Sequence, residues 1–310
     1  MSIYFKNIIG HQQILTRLTA DIDDEKLAHA YLFMGPADLG KFTIAKAFAK
    51  AIQTNEISEE KSGHIVSLID RGIHADTLIY PLNREEGNIK ISQIKQVMSN
   101  LQMTGDSHRR ILVMEDIDKM TTEAANALLK MLEEPPGKVL YIFTSSNPKN
   151  ILETILSRVR QIDFRLFSNE DLLQAIKNRY RLADVAKIKL VAELANGRIA
   201  KAIKLMENPE VFEAYQNVHS QIVEFLKEGD LAKAFGYINQ INGDDLLVQI
   251  FLDIAFVVLG SQFNDLVRSG QNEQVRTKIS QIEKLLEVKA ISDTNVNTRL
   301  LLENFILNLC

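Results

Sequence analysis

The stretch Tyr31–Thr43, YLFMGPADLGKFT, joins an apolar run to a glycine-containing loop and the start of a helical pattern. Gly35, Gly40 and Lys41 have the G-x-x-x-x-G-K spacing of a phosphate-binding loop. In such a loop the backbone amides and the helix N-terminus point at an anion, and the lysine adds a positive charge. The order of strand, loop and helix therefore predicts a nucleotide site that uses Gly35, Gly40 and Lys41.

Phe42 breaks this pattern at the position where phosphate loops carry Ser or Thr. That hydroxyl normally binds the Mg²⁺ ion that bridges the β- and γ-phosphates. Thr43 is one residue further along and is rotated by ~100° around the helix, so it does not replace the missing ligand. We therefore expect weak magnesium binding and no metal site in this loop.

Composition limits the class of protein. The chain has 310 residues, of which 46% are hydrophobic, and a formal net charge of −4, which predicts two or three domains and argues against a wholly basic nucleic-acid binder. We expect no membrane-spanning run of ~18 apolar residues and no signal peptide. Cys310 is the single cysteine, so no internal disulfide can form. The sequence predicts a soluble, cytoplasmic protein.

Short apolar runs alternate with helical stretches in the first half of the chain, and helical periodicity alone follows from Ser168. Apolar strands separated by helices predict a mostly parallel sheet that is covered on both faces. The fold class is therefore an α/β phosphate-loop domain followed by helices. The predicted strands are Tyr31–Met34, Thr77–Pro81, Ile111–Met114, Val139–Thr144 and Gln161–Phe164.

Two carboxylates, Glu115 and Asp116, follow the apolar run at Ile111–Met114. Such a pair is suited to holding Mg²⁺ and polarising a water molecule in a nucleotide hydrolase. The usual order in these enzymes is Asp before Glu, and here the order is reversed. An ordinary acidic loop that also contains Asp118 is the alternative interpretation.

The stretch Thr122–Pro136, TEAANALLKMLEEPP, resembles bacterial clamp-loader subunits of the AAA+ class. The resemblance implies an AAA+ phosphate-loop domain over residues 1–166, a small helical lid over 167–206 and a helical collar domain over 207–310. We also expect Thr122 to cap the helix that it begins. Further matching motifs are Ile9–Gln12, His29–Phe33, Gly72–Asp76, Thr144–Pro148 and Thr154–Arg158.

Within this family the chain is most similar to the delta-prime class, whose members generally do not hydrolyse ATP, and the alternative is the gamma/tau motor class, whose members do. Phe42, the reversed acidic pair, and Ala200 at the position of a nucleotide-sensing arginine favour the first class. The resemblance then implies a hetero-oligomer with gamma/tau motor subunits and the delta subunit, which loads the sliding clamp on primed DNA. An unrelated small-molecule P-loop kinase fits less well because the second half is helical.

The resemblance also implies a role for Arg158 in Ser157-Arg158-Val159, since the family presents an arginine at this position to the nucleotide of the neighbouring subunit. A guanidinium supplied in trans stabilises the charge of a transferring phosphoryl group. Without the resemblance, an ion pair with Asp163 or Glu153 is the default interpretation. Arg160, two residues further along, is the less suited of the two arginines.

Other family features are missing or ambiguous. Family members commonly carry four cysteines before the second strand, whereas Ala51–Ala75 has none and offers only His64 and His74, so we expect no zinc. We predict a surface loop at Asn55–Gly63 and, as cofactor, at most a vestigial ATP site. Candidate contacts with DNA phosphates, with solvated helix faces as the competing interpretation, are His108, Arg109, Arg110, Lys187, Lys189, Lys201 and Lys204.

Overall fold

The computed structural model describes residues 3–55, 57–81, 87–102, 110–292 and 298–309. The chain divides into two compact units. The first unit runs to Phe167 and includes Arg198–Ala200, and the second contains Ser168–Gly197 and the chain from Lys201 onward. The finer division into a lid at 167–206 and a collar domain at 207–310 stays a prediction.

The first unit is built on a sheet of five parallel strands in the order β2-β3-β4-β1-β5. The predicted parallel sheet is confirmed, and each predicted strand lies within one residue of the observed one at both ends. The strands are β1 Ala30–Met34, β2 Thr77–Tyr80, β3 Arg110–Met114, β4 Val139–Ser145 and β5 Arg160–Asp163.

Helices cover both faces of this sheet. Alternation along β1 sends Tyr31 and Phe33 into one hydrophobic cluster, with Phe48, and sends Leu32 into the other, with Leu128. Both faces of the strand are therefore buried, as an apolar run without alternation predicts. The helices are α1 Gln12–Asp23, α2 Lys41–Gln53, α3 Glu59–Asp70, α4 Ile91–Gln102, α5 Thr122–Glu133 and α6 Glu153–Leu156.

Two local predictions are wrong. The predicted surface loop at Asn55–Gly63 overlaps α3, because a polar stretch forms a helix here once Ser62 and Ile69 are buried against the unit. The cap of α5 is Thr121, not Thr122, and its hydroxyl accepts a hydrogen bond from the Ala124 N–H at 3.3 Å. The helix therefore begins one residue after its cap, which is the usual relation between the two.

The second unit is helical throughout its described residues. Its longest helix runs over Asp245–Ser269 and contributes a continuous series of buried apolar side chains, among them Phe251 and Leu259. The helices are α7 Asn169–Arg179, α8 Val185–Ala195, α9 Ile199–Glu207, whose first two residues are assigned to the first unit, α10 Pro209–Glu228, α11 Leu231–Ile241, α12 Asp245–Ser269, α13 Asn272–Ser292 and α14 Thr298–Leu307.

Helix α12 is long and apolar enough to cross a membrane, judged by length and composition alone. By that criterion the expectation that the chain has no such apolar run is wrong. Half of its apolar window is buried inside the protein. Near its middle, Asp253 lies 3.3 Å from the ammonium of Lys201 and 2.7 Å from that of Lys289. Core helices of globular proteins pass the same test of length and composition, and the contacts of α12 are those of a core helix.

Candidate functional site

The phosphate loop connects β1 to α2 with two glycines that serve different purposes. Gly35 has φ 144°, and a Cβ atom there would lie 2.3 Å from the carbonyl oxygen of Phe164. Gly40 has φ 80° at the N-cap of α2, where a Cβ atom would meet nothing within 4 Å. Gly35 is therefore required by packing, whereas Gly40 is required only by the left-handed backbone of the turn.

Lys41 begins α2 and is held by the chain itself. Its ammonium donates hydrogen bonds to the carbonyl oxygens of Gly35 at 2.8 Å and Pro36 at 2.7 Å, and to Ser146 Oγ at 3.2 Å. An ammonium has three donors, and all three are used here. The residue is 5% exposed, and burial lowers the pKa of its ammonium, while the negative charges of Asp116 and Asp118 oppose that shift.

The acidic end of β3 reaches Lys41 through Ser146. The Ser146 hydroxyl donates to Asp116 Oδ1 at 3.2 Å, and the Ser146 N–H donates to Asp118 Oδ1 at 3.1 Å. The Asp116 N–H donates in turn to Thr144 Oγ1 at 2.9 Å. Lysine, serine and carboxylates thus form one hydrogen-bonded group at the carboxyl edge of the sheet, where α/β folds bind their ligands.

Sequence reasoning did not identify Ser146 as part of this group. A signal was present, because Thr144 and Ser146 are small polar residues at the end of β4, and Ser145 pairs with Met34 of β1. The carboxyl ends of adjacent parallel strands meet at one edge, which brings Ser146 close to the phosphate loop.

Phe42 takes the place of the metal-binding hydroxyl and packs, half-buried, against the core of the first unit. The ammonium of Lys46 lies 5.0 Å from the centre of its ring. Thr43 is exposed. The residues at this loop therefore do not fit a magnesium ion, and no group of three or more His, Cys, Asp or Glu side chains that could hold a metal occurs in the described part of the chain.

The motif around Gly10 and His11 packs against the same loop. His11 Nε2–H donates to the carbonyl oxygen of Leu39 at 3.0 Å, and the ring lies 4.8 Å from that of Phe164 and 4.9 Å from that of Phe167. Burial lowers the pKa of His11, against the opposing effect of this hydrogen bond. The neutral imidazole thus supports the loop from the side of α1.

Arg198–Ala200 belongs to the first unit and also contacts the loop. The Ala200 N–H donates to the carbonyl oxygen of Asp38 at 2.9 Å. Asp38 has φ 61°, an unusual value for a residue other than glycine. A methyl side chain at position 200 brings no charge to the loop, so Lys41 is the cation that the loop itself supplies.

Arg158 lies near the amino ends of the strands, opposite the carboxyl ends that carry the phosphate loop. It precedes β5, whose first residue pairs with Tyr31 near the start of β1, whereas the phosphate loop follows the end of β1. The two sites are therefore separated by about the length of β5, ~10 Å for three residue steps. The structure brings Gly35, Gly40 and Lys41 together and keeps Arg158 away from them.

Arg158 and Arg160 each pair with a carboxylate, and the partner of Arg158 differs from the default interpretation. Arg158 Nη2 lies 2.8 Å from Glu133 Oε1, not beside Asp163 or Glu153. Arg160 Nη1 lies 2.8 Å from both carboxylate oxygens of Asp21, a residue that is only 7% exposed. Arg160 is thus committed to an internal contact.

The candidate DNA contacts are only partly accessible. Lys201 is buried, pairs with Asp253 and lies over the ring of Tyr215, so it is a core residue. Arg110 pairs with Asp76 and donates to the carbonyl oxygen of Leu101. Lys187 lies over the ring of Phe212, while Lys189 and Lys204 are exposed. His108 and Arg109 lie outside the described residues.

A family model described as "DNA polymerase III, delta subunit" matches residues 10–168, just over half of the chain. The chain belongs to this family. The matched range contains the phosphate loop, the acidic end of β3 and Arg158. The resemblance to the clamp-loader family of DNA polymerase III is thereby confirmed.

Relatives of both classes are similar to the chain. The delta-prime subunit of DNA polymerase III from Bacillus subtilis is 28% identical, with 100% of this chain and 99% of that protein aligned. The gamma subunit from Buchnera aphidicola is 27% identical over 66% of this chain and 58% of its own length. The tau subunit from Bacillus subtilis is 24% identical over 66% of this chain and 37% of its own length.

A solved structure supports the fold class. A DNA polymerase III gamma subunit-related protein from Thermotoga maritima superposes with a TM-score of 0.54 at 19% identity, covering 94% of this chain and 98% of that one. The chain therefore has the AAA+ fold that the sequence motifs predict.

Proposed function

We propose that this chain is a clamp-loader subunit of the delta-prime class that does not hydrolyse ATP, completes the AAA+ ring that loads the sliding clamp on primed DNA, and supplies Arg158 to the nucleotide of a neighbouring subunit. The full-length similarity to the Bacillus subtilis delta-prime subunit supports the class. Its partners would be gamma/tau motor subunits, the delta subunit and the clamp. The setting would be the cytoplasm, and we expect no zinc module.

The observation that carries this proposal is Phe42. The ring fills the position of a metal-binding hydroxyl, packs against the core and is covered by Lys46. Phosphoryl transfer depends on Mg²⁺ to neutralise charge on the β- and γ-phosphates. A loop without that ligand is poorly suited to turnover, although its amides and Lys41 still favour an anion.

The contacts of Lys41 support the same conclusion. All three ammonium donors bind atoms of this chain, so a phosphate has to replace at least one of them. If the Lys41 ammonium turned to a phosphate and no metal ion were bound, the carbonyl oxygens of Gly35 and Pro36 would lose their charged hydrogen-bond donor. We infer that nucleotide binding here is weak and that the loop is retained for its structure.

The position of Arg158 supports action in trans. The residue is separated from the phosphate loop of its own chain by about the length of β5, ~10 Å. Its side chain is 38% exposed, so it is accessible to another molecule. Fingers of this kind contribute ~10³–10⁵ in rate in related nucleotide hydrolases.

The competing function is an active motor of the gamma/tau class, which is also represented among the relatives. Steady-state ATP hydrolysis by the purified chain, with and without primed DNA and beside a Lys41→Ala control, decides between the two. We expect no turnover in either protein. Turnover that disappears in the Lys41→Ala control would show that Phe42 is tolerated and that the chain is itself a motor.

A further inference from the structure

The guanidinium of Arg158 is held on two sides. Nη1 donates to the carbonyl oxygen of Thr154 in α6 at 2.9 Å and to Ser157 Oγ, directly after that helix, at 3.3 Å. Nη2 lies 2.8 Å from Glu133 Oε1, which comes from a different helix. The first two contacts orient the side chain, and the third occupies one of its terminal nitrogens with a carboxylate.

Glu133 is a fixed point because the end of α5 is anchored. It is the last residue of that helix, directly after the buried pair Met131 and Leu132. The hydroxyl of Tyr141, a fully buried side chain of β4, donates to the carbonyl oxygen of Met131 at 3.1 Å. The backbone that carries the Glu133 carboxylate is therefore rigid, although the carboxylate itself is 44% exposed.

We propose that the ion pair with Glu133 lowers the availability of the Arg158 guanidinium, because an incoming phosphate in trans must compete with the Glu133 carboxylate for it. This inference rests on the proposed function of Arg158. Carboxylate and phosphate oxygens take up the same donor edge of a guanidinium. A guanidinium that is paired with Glu133 also attracts a distant anion less, because the two charges cancel at long range.

The pair is built to exchange, as a comparison with Arg160 indicates. Arg160 contacts both oxygens of Asp21, a buried carboxylate that would be left without its partner if the arginine moved. Glu133 is exposed, so water solvates it once Arg158 leaves. Exposed ion pairs are weak, and we expect Glu133 to reduce the availability of Arg158 by about twofold to fivefold.

The first test uses the free chain and the arginine reagent phenylglyoxal, with the labelling of Arg158 followed by peptide mass spectrometry. Glu133→Gln keeps the size of the side chain and removes the charge. We expect it to speed the labelling of Arg158 by about twofold to fivefold, whereas Glu134→Gln, at the adjacent exposed position, should leave the rate unchanged. Equal rates of Arg158 labelling in the unmodified chain and both variants would show that Glu133 does not limit the availability of Arg158, and would overturn the proposal.

The second test uses a clamp loader that is reconstituted with gamma/tau motor subunits. At the nucleotide site that faces Arg158, Glu133→Gln should raise kcat/KM for ATP by about twofold to fivefold, so that hydrolysis by the whole complex rises by the share of that site, and this gain should vanish when it is combined with Arg158→Ala. If Arg158→Ala alone leaves hydrolysis unchanged, the proposed function fails and this inference fails with it. If Arg158→Ala lowers hydrolysis but Glu133→Gln does not raise it, this inference alone is overturned.

Discussion

The phosphate loop and the segment around Arg158 hold their cations in opposite ways. Lys41 is 5% exposed, and its three donors all bind atoms of its own chain. Arg158 is 38% exposed and shares one nitrogen with an exposed carboxylate. A buried cation with every donor used is held in place by its own chain, whereas an exposed cation in a weak pair can change partners. The comparison separates a cation that its own chain holds at the phosphate loop from a cation that remains accessible to another molecule.

Arg158→Ala tests the proposed role of the exposed cation in ATP hydrolysis and should have the largest effect. In a reconstituted clamp loader, we expect the nucleotide site that faces Arg158 to lose ~10³-fold or more in turnover. Folding should be unaffected, because an exposed pair contributes less than ~1 kcal/mol. The measurement is steady-state ATP hydrolysis by the whole complex, which should fall by the share of that one site.

Arg160→Ala is the informative comparison for that variant. It should destabilise the isolated chain, because it leaves Asp21 buried without its cation, and it should not affect turnover once the complex has assembled. A result in which Arg160→Ala abolishes hydrolysis and Arg158→Ala does not would reverse the assignment of the two arginines.

Gly35→Ala and Gly40→Ala separate the two reasons for a glycine within one loop. We expect Gly35→Ala to cost about 2–5 kcal/mol, because its Cβ atom would overlap the Phe164 carbonyl and its φ is positive. Gly40→Ala meets open space and should cost only the ~1–2 kcal/mol of a left-handed residue. Urea midpoints of both variants measure the difference, and equal midpoints would mean that the contact with Phe164 does not limit stability.

The extent to which the sequence predicts these features follows from how local each one is. The strands were predictable within a residue, because a buried parallel strand is a continuous apolar run. The helix at Glu59–Asp70 was not, because its first half is polar and its burial depends on neighbouring elements. The pairing of Arg158 with Glu133 joins the turn after α6 to the end of α5, which are separate in sequence, so spacing and residue type alone did not reveal it.

The phosphate site likewise has a local part that the sequence predicts and a non-local part that it does not. Gly35, Gly40 and Lys41 follow from a local pattern, and Phe42 is visible as its exception. The three contacts of Lys41 depend on the directions of backbone carbonyl groups and on Ser146, which is 105 residues away in sequence. No residue type encodes those directions, so the internal hydrogen bonds of the lysine emerged only from the structure.

Phe42→Thr tests whether the missing hydroxyl is what limits the phosphate loop. We expect ATP binding by the isolated chain to become Mg²⁺-dependent and to tighten by about tenfold, which is the size of one charge-assisted interaction. Phe42→Leu, which removes the ring without adding a hydroxyl, should show no such change. Titration calorimetry with and without EDTA gives both affinities, and identical behaviour of the two variants would place the limit at Lys41 instead.

His11→Asn should produce the smallest effect, in the pH dependence of stability. Because burial lowers the pKa of His11 below the ordinary 6.5, the unfolded chain binds a proton before the folded chain does. Stability is therefore lost as the pH falls below 6.5 and through the lowered pKa. His11 has a left-handed backbone with φ 52°, which asparagine tolerates, so the variant should lose this part of the acid dependence.

Thermal unfolding of the native chain and of His11→Asn from pH 7.5 to 5 provides the measurement. His74 also has a pKa that burial lowers, and it is present in both proteins, so the difference between the two curves isolates His11. Parallel curves would mean that His11 is protonated to the same degree in the folded and unfolded chains.

Helix α12 has a consequence for the order of events during synthesis. Its apolar surface is covered in part by α13, which has 21 residues and is made only after α12 is complete. At ~5–20 residues per second, α13 takes about 1–4 s to synthesise. During that interval the side of α12 that α13 covers in the folded unit has no cover, and transiently exposed apolar surface of this kind is prone to aggregation.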